Sequence, residues 1–140
     1  MGNVQLLEMK EEHLLQTFDW LQSEELRSCI DSIGAPDWET HKQYWIAALQ
    51  DQTRRSFAIF FNGKHLGNCG LVSLDRKRSR AELWIYLGEA GHQGIGGQAA
   101  RALLNLGFHQ ENLHKIFVRV LETNQPALNF FRSLGFSQDG

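Results

Sequence analysis

The chain has 140 residues, 42% of them hydrophobic and 21% charged, which excludes a disordered tail, a coiled coil and a collagen. Fourteen Lys and Arg against sixteen Asp and Glu leave a net charge of −2, and the basic residues are dispersed apart from Arg76, Lys77, Arg78 and Arg80. A nucleic-acid-binding face is therefore not expected. No apolar run approaches the ~18–20 residues that cross a bilayer and the N-terminus lacks a signal-peptide pattern, so a single cytoplasmic domain over residues 1–140, away from membranes, is the expectation.

Residues 4–9 read as a first strand. Residues 11–22 follow as a helix, with Leu14, Phe18 and Leu21 at helical spacing. A short helix over 24–29, a loop over 30–38 and a helix over 40–50, with Tyr44, Trp45, Ala48 and Leu49 on one side, complete the first part. The period then changes to two. Residues 57–61 form a buried-looking strand, Asn62-Gly63 is a two-residue hairpin turn, and residues 64–74 return. After a polar turn at 75–79, Ala81, Leu83, Ile85 and Leu87 alternate with Glu82, Trp84 and Tyr86, which makes a meander of three antiparallel strands. Helical spacing resumes over 98–112 through Ala100, Leu103, Leu104, Gly107 and Phe108. Ile116, Val118 and Val120 read as a strand, and Pro126 sits in the first turn of a helix that presents Ala127, Leu128, Phe131 and Leu134. Gly135 ends that helix, and Phe136 is expected to start another strand.

Cys29 and Cys69 are far apart and without CxxC spacing, so both are expected in the core rather than in a disulfide or zinc site. The six histidines show no His-x-x-x-His or His-Glu-x-x-His spacing, so no metal is expected.

Five of the thirteen glycines, Gly88, Gly91, Gly94, Gly96 and Gly97, fall within ten positions between a strand and a long helix. Such a loop is either a turn with a helix behind it or a cradle whose backbone N–H groups hold a phosphate at the positive end of the helix dipole. Gly94-x-Gly96-x-x-Ala99, with Glu122 after the next strand, also fits a dinucleotide fingerprint. Residues 88–93 intervene between strand and glycines, however, and too little chain follows for the remaining parallel sheet. No Gly-Lys-Ser/Thr follows, which removes a P-loop.

Gly91-His92-Gln93-Gly94-Ile95-Gly96-Gly97, the helix behind it, Lys115-Ile116-Phe117-Val118-Arg119-Val120, and the run from Asn124-Gln125-Pro126 through Phe130-Phe131 to Leu134-Gly135-Phe136 resemble the acetyl-CoA-binding motifs of the GNAT N-acetyltransferase superfamily. His92-Gln93-Gly94 after Arg80-Ala81-Glu82 is most similar to the branch of spermidine, ribosomal-protein N-terminal and nucleotide-sugar acetyltransferases. The resemblance implies an α/β fold of the GNAT type, a mixed sheet with an antiparallel N-terminal meander and helices on both faces. It implies acetyl-CoA as cosubstrate, with the pyrophosphate on the backbone N–H groups of Gln93, Gly94, Ile95, Gly96 and Gly97. It also implies that Ile85, Tyr86 and Leu87 pair with the pantetheine arm, with a backbone N–H near Leu87 aimed at the thioester oxygen.

Acetyl transfer to an amine needs a route for the ammonium proton and one for the departing thiolate. Glu82 matches the glutamate that draws the amine proton in some family members, and it could equally form an ion pair. Asn124 matches an asparagine that ties strand, helix and pantetheine together, and also suits a helix N-cap. At the family's tyrosine near the coenzyme sulfur this chain has Phe131, which cannot donate a proton. Either the thiolate needs little help, or a water or Tyr86 substitutes, or the protein binds acetyl-CoA without efficient transfer. His92 suits a phosphate contact or a solvated loop. Trp38 with Glu24, Glu25, Asp31, Asp37 and Glu39 marks either an acceptor pocket for a cationic amine or a solvated polar loop.

The leading expectation is an enzyme that acetylates a primary amine, a polyamine or amino sugar ahead of a protein N-terminus, by direct attack in a ternary complex. An acetyl-CoA-binding module and a dinucleotide-binding protein are the alternatives. Family members usually continue past the last Gly-Phe with a further hairpin, whereas this chain stops at Ser137-Gln138-Asp139-Gly140. The expectation is a truncated chain or an exposed sheet edge that a second subunit of a homodimer could cover.

Overall fold

A computed structural model of the chain describes residues 3–29, 35–88 and 94–138. Five strands form one sheet in sequence order: β1 (Val4–Glu8), β2 (Arg55–Phe61), β3 (Lys64–Asp75), β4 (Arg80–Leu87) and β5 (Lys115–Phe117). The first four are antiparallel and β5 runs parallel to β4. The β2–β3 turn is made by Asn62 and Gly63, at φ 51° and 78°, as a twist-matched hairpin requires.

Alternation sends odd-numbered β4 residues to one face and even-numbered ones to the other. On the first face Ala81 and Leu83 join Phe57, Ile59, Cys69 and Leu71 beneath Ile95, Ala99 and Leu103 of α4 (Ile95–Asn105). On the second face Ala58, Met9 and Trp84 meet α1 (Leu14–Trp20) and α3 (Trp38–Gln50) through Leu14, Trp45 and Ala48. The sheet is therefore covered by helices on both sides. Burial in the first layer pushes the Cys69 thiol pKa up, so it acts there as an apolar residue. The side chain of Cys29, in the short helix α2 (Glu24–Cys29), lies outside the described set.

Several expected boundaries move, each for a local reason. Residues 11–13 form a 3₁₀ turn before α1. Helix α3 starts at Trp38 rather than at residue 40, because the Asp37 carboxylate accepts from the Thr40 N–H at 2.8 Å and caps it. Helix α4 starts at Ile95 and relaxes into a π turn over Leu106–Gln110. The strand expected over 116–120 ends at Phe117. Beyond the Glu82–Phe117 pair no β4 residue is in register with β5, and Val118 and Val120 have no ladder to extend. Phe136 starts no strand. Its N–H donates to the Phe131 carbonyl at 3.1 Å while Gly135 N–H donates to Arg132, and its ring packs on Phe131 at 5.5 Å, closing α5 (Gln125–Ser133) in a Schellman motif.

Among the described residues β5 is an outer strand, flanked by a groove of about 840 Å³ whose lining includes Leu104, Phe108, Val118 and Phe136. No helix among them is long and apolar enough to cross a membrane.

Candidate active site

The strands β4 and β5 stay in register for three residues, Arg80–Lys115, Ala81–Ile116 and Glu82–Phe117, and then part. Past that fork, among the described residues, only β3 pairs with β4. The Gly88 N–H donates to the Leu66 carbonyl at 2.8 Å, so by antiparallel alternation Tyr86 and Gly88 turn their peptide groups to β3, and Ile85 and Leu87 turn theirs the other way. The Ile85 and Leu87 side chains remain half-buried against the α4-side core. Their peptide groups thus form an edge where an extended ligand arm could take the place of a strand.

Gly94 caps α4 at φ +83°, a left-handed conformation that favours glycine, and a Cβ placed there would meet nothing within 4 Å. Ile95 is buried and anchors the first turn. A Cβ on Gly96 would lie 3.6 Å from Phe130 and 3.9 Å from Leu87, so the helix start and the free edge of β4 adjoin. Gly97 faces the Arg101 side chain. His92 and Gln93 lie outside the described residues. At the other end of the loop, a Cβ on Gly88 would come within 2.0 Å of the Trp20 ring, so only glycine lets α1 approach the end of β4.

Asn124 accepts from the Ala127 N–H at 3.2 Å through its side-chain oxygen and so caps α5. Phe131 packs edge-on between Phe130, at 5.0 Å, and Phe136, against the α4-side core. Phe130, which the motif reading passed over, is the ring beside Gly96.

Glu82, the last residue of β4 in register with β5, is in a two-pronged ion pair. Arg119 Nε and Nη2 each donate to one carboxylate oxygen at 2.9 Å. The Glu82 side chain is 14% exposed, and that of Arg119 is 80% exposed. The carboxylate raises the pKa of the guanidinium further through those bonds. Arg119 was not singled out from the sequence, because its partner follows from a parallel register that spacing does not reveal.

Tyr86 shares the face of Glu82, stacks on Trp84 at 6.0 Å, and has its hydroxyl drawn over β3. There it accepts from Asn68 Nδ2 at 2.7 Å. Burial pushes its pKa up to about 12, so the phenol keeps its proton at neutral pH. Asn68, fully buried, also donates to Thr17 Oγ1 at 2.9 Å, and Thr17 donates to the His13 carbonyl. Both amide hydrogens being committed, His65 Nε2 is the donor to Asn68 Oδ1 at 2.8 Å.

The acidic segment beside Trp38 does not gather. Asp37 caps α3, Glu39 lies in that helix's first turn, and Glu24 and Glu25 lie in the first turn of α2. Thr40 holds the Asp37 carboxyl below the usual range. Trp38 packs edge-on against Phe18 at 5.3 Å. Asp31 lies outside the described residues.

The chain is 32% identical over 93 residues to the spermidine N(1)-acetyltransferase of Escherichia coli K12, covering 66% of this chain and 50% of that protein. It is 31% identical over 96 residues to the uncharacterized N-acetyltransferase p20 of Bacillus licheniformis, covering 66% and 53%. It thus spans about half the length of these curated relatives. Among solved structures, the spermidine N-acetyltransferase of Vibrio cholerae in complex with CoA and spermine superposes with a TM-score of 0.88 over 99% of this chain and 83% of that one. A domain from Methanocaldococcus jannaschii superposes at 0.84, covering 99% and 91%. At 21% and 20% identity these two likenesses concern the fold. The acetyltransferase (GNAT) domain model matches residues 3–137, so nearly the whole chain, with its forked β4 and β5 and its glycine-capped α4, belongs to the GNAT acetyltransferase family.

Proposed function

We propose that this protein transfers an acetyl group from acetyl-CoA to a primary amine, with a polyamine as the acceptor class. The observation that carries the reading is the adjacency of a helix start capped by Gly94 to an outward-facing strand edge, with Gly96 in the first turn beside Leu87. This pairing fits a ligand with an anionic end and an extended amide arm. The relatives named as spermidine acetyltransferases support a polyamine acceptor, as does the placement of a carboxylate at the fork.

In this reading the N–H groups of residues 93–97 hold the pyrophosphate, the peptide groups of Ile85 and Leu87 pair with the arm, and the Leu87 N–H polarises the thioester carbonyl. The amine nitrogen attacks the carbonyl carbon, the C–S bond breaks, and the amine proton passes to Glu82. A free amine has a pKa of ~10, so without an acceptor nearly all of it would stay protonated at pH 7. The leaving thiolate, with a thiol pKa near ~8.5, needs only modest help, which accommodates Phe131 at the position where a tyrosine would serve. Tyr86 would supply the proton through an intervening water, since Asn68 holds its hydroxyl over β3.

The test is thioester loss from acetyl-CoA across a panel of polyamines, amino sugars and peptides, together with thermal unfolding. Acetyl-CoA at 100 times its Kd should add about 2.7 kcal/mol of stability, and NAD none. Replacing Gly96 by leucine should abolish that shift. Glu82→Gln should preserve it and lower kcat about 100-fold at pH 7, with an altered pH profile. A second reading, coenzyme binding without transfer, is favoured by Phe131 alone. It predicts stabilisation by acetyl-CoA, no turnover of any amine and no gain from Phe131→Tyr.

A further inference from the structure

Glu82 is a carboxylate with little exposed surface at the fork of two strands, and a charge so placed requires a partner. Its partner comes from the segment that follows β5. Arg119 lies two residues past β5, beyond the last residue in register, and its side chain is 80% exposed with no second partner among the described residues. Both of its donors engage the carboxylate in a fork-to-fork geometry. The pair therefore joins a fixed anion to a cation on a long arm that could swing into water.

We propose that Arg119 is the resident cation of the acceptor site: its guanidinium occupies the place beside Glu82 that the ammonium of the acceptor takes during the reaction. This rests on the reading that Glu82 receives the amine. Two cations at one shielded carboxylate repel each other, so the arriving ammonium and the guanidinium exchange. The exposed arm is the one that leaves, because its charge is readily hydrated outside. Three consequences follow. The site keeps its charge balance with and without acceptor. A neutral nucleophile cannot displace the guanidinium. And apparent amine affinity is lowered by the strength of the internal pair, a specificity setting held by a residue that need not touch the reacting atoms.

The experiment measures spermidine binding to the CoA-bound protein by calorimetry, and steady-state kinetics with acetyl-CoA, for the wild type, Arg119→Gln, Arg119→Lys, Glu82→Gln and the double variant. Arg119→Gln should tighten spermidine about five-fold and lower KM to match, with kcat nearly unchanged, and Arg119→Lys, which keeps the charge but cannot make the two-pronged pair, should fall between Arg119→Gln and the wild type. In the Glu82→Gln background, Arg119→Gln should change nothing. Weaker spermidine binding in Arg119→Gln, a fall in kcat at constant KM, or the same tightening without the Glu82 carboxylate would overturn the proposal. So would a failure of spermidine to bind any of the proteins. Failure of the transferase reading looks different: acetyl-CoA stays intact with every amine, while Arg119→Gln still tightens spermidine.

Discussion

On the α4 side of the sheet, Ile59, Cys69, Leu71, Leu83, Ala99 and Leu103 close against one another as an apolar cluster. On the side of α1 and α3, Met9, Leu14, Trp45 and Ala58 share their layer with the buried polar groups of His13, Thr17, His41 and Asn68. The two faces come from one alternation of the same strands but are held in different ways. The first needs apolar volume, and its attraction has no direction. The second also depends on directional bonds between its buried polar groups, and one left without a partner, as Trp84 Nε1 is among the described residues, detracts from stability. The proposed chemistry follows this division: the helix start and strand edge assigned to the coenzyme border the apolar layer, and Glu82 and Tyr86 stand on the polar face.

The comparison breaks most visibly on the apolar side. Leu103→Ala, at a fully buried position, should cost about 3 kcal/mol in urea unfolding, the transfer term plus the cavity left behind. Asn68→Ala comes next at about 2 kcal/mol, although it removes fewer atoms. His65, Thr17 and Tyr86 each lose a partner at once. Asn68→Leu discriminates between the two kinds of cohesion, since it restores volume without restoring bonds. If it recovers wild-type stability, the second face is held by packing like the first.

Much of the apolar face was legible in the sequence, and little of the polar one. Ala81, Leu83, Ile85 and Leu87 repeat at period two, and Ala100, Leu103 and Leu104 at the helical period, because burial on one face imposes a pattern on consecutive residues. The ends of α5 were legible too, as Asn124, Pro126 and Gly135 act within a few residues of themselves. The bond between His65 and Asn68 was not. Residues three apart in a regular strand point to opposite faces, but Ile59 pairs with Gly67 and Phe60 with His65, so Leu66 is an extra residue and a bulge turns His65 to the face of Asn68. Arg119 escaped for a similar reason: its contact with Glu82 depends on where two distant strands fall into register. Val118 and Val120 show the converse, an alternation with no neighbouring ladder to make it a strand.

Tyr86→Phe removes one acceptor from Asn68 and should cost about 1 kcal/mol. Measured beside kcat, it separates two uses of the hydroxyl. A stability loss with kcat unchanged makes Tyr86 a member of the buried network alone. A fall in kcat that steepens toward high pH, where a proton on the thiolate is hardest to supply, assigns it the donor role proposed above.

The smallest effect at any one site is the protonation of a single buried ring, and it should appear on the polar face only. Burial lowers the pKa values of His13, His41 and His65 below the ordinary 6.5. Below about pH 6.5 the unfolded chain therefore takes up protons that the folded protein resists. Their contribution to stability is whole above that pH and declines as the pH falls toward the folded-state values. Thermal midpoints should thus drop between pH 7 and pH 5.5, in addition to any loss from carboxylates at lower pH. His41→Phe is the variant that sharpens this, because His41 Nε2 has no hydrogen-bond partner among the described residues and the ring packs edge-on against Phe18 at 5.4 Å. A phenyl ring keeps that contact and cannot titrate. The variant gives up the ring's bond to the Leu14 backbone, so it should start somewhat below the wild type near pH 7.5 but lose less on acidification, whereas an unchanged acid slope would remove His41 from the account and leave the response to His13 and His65.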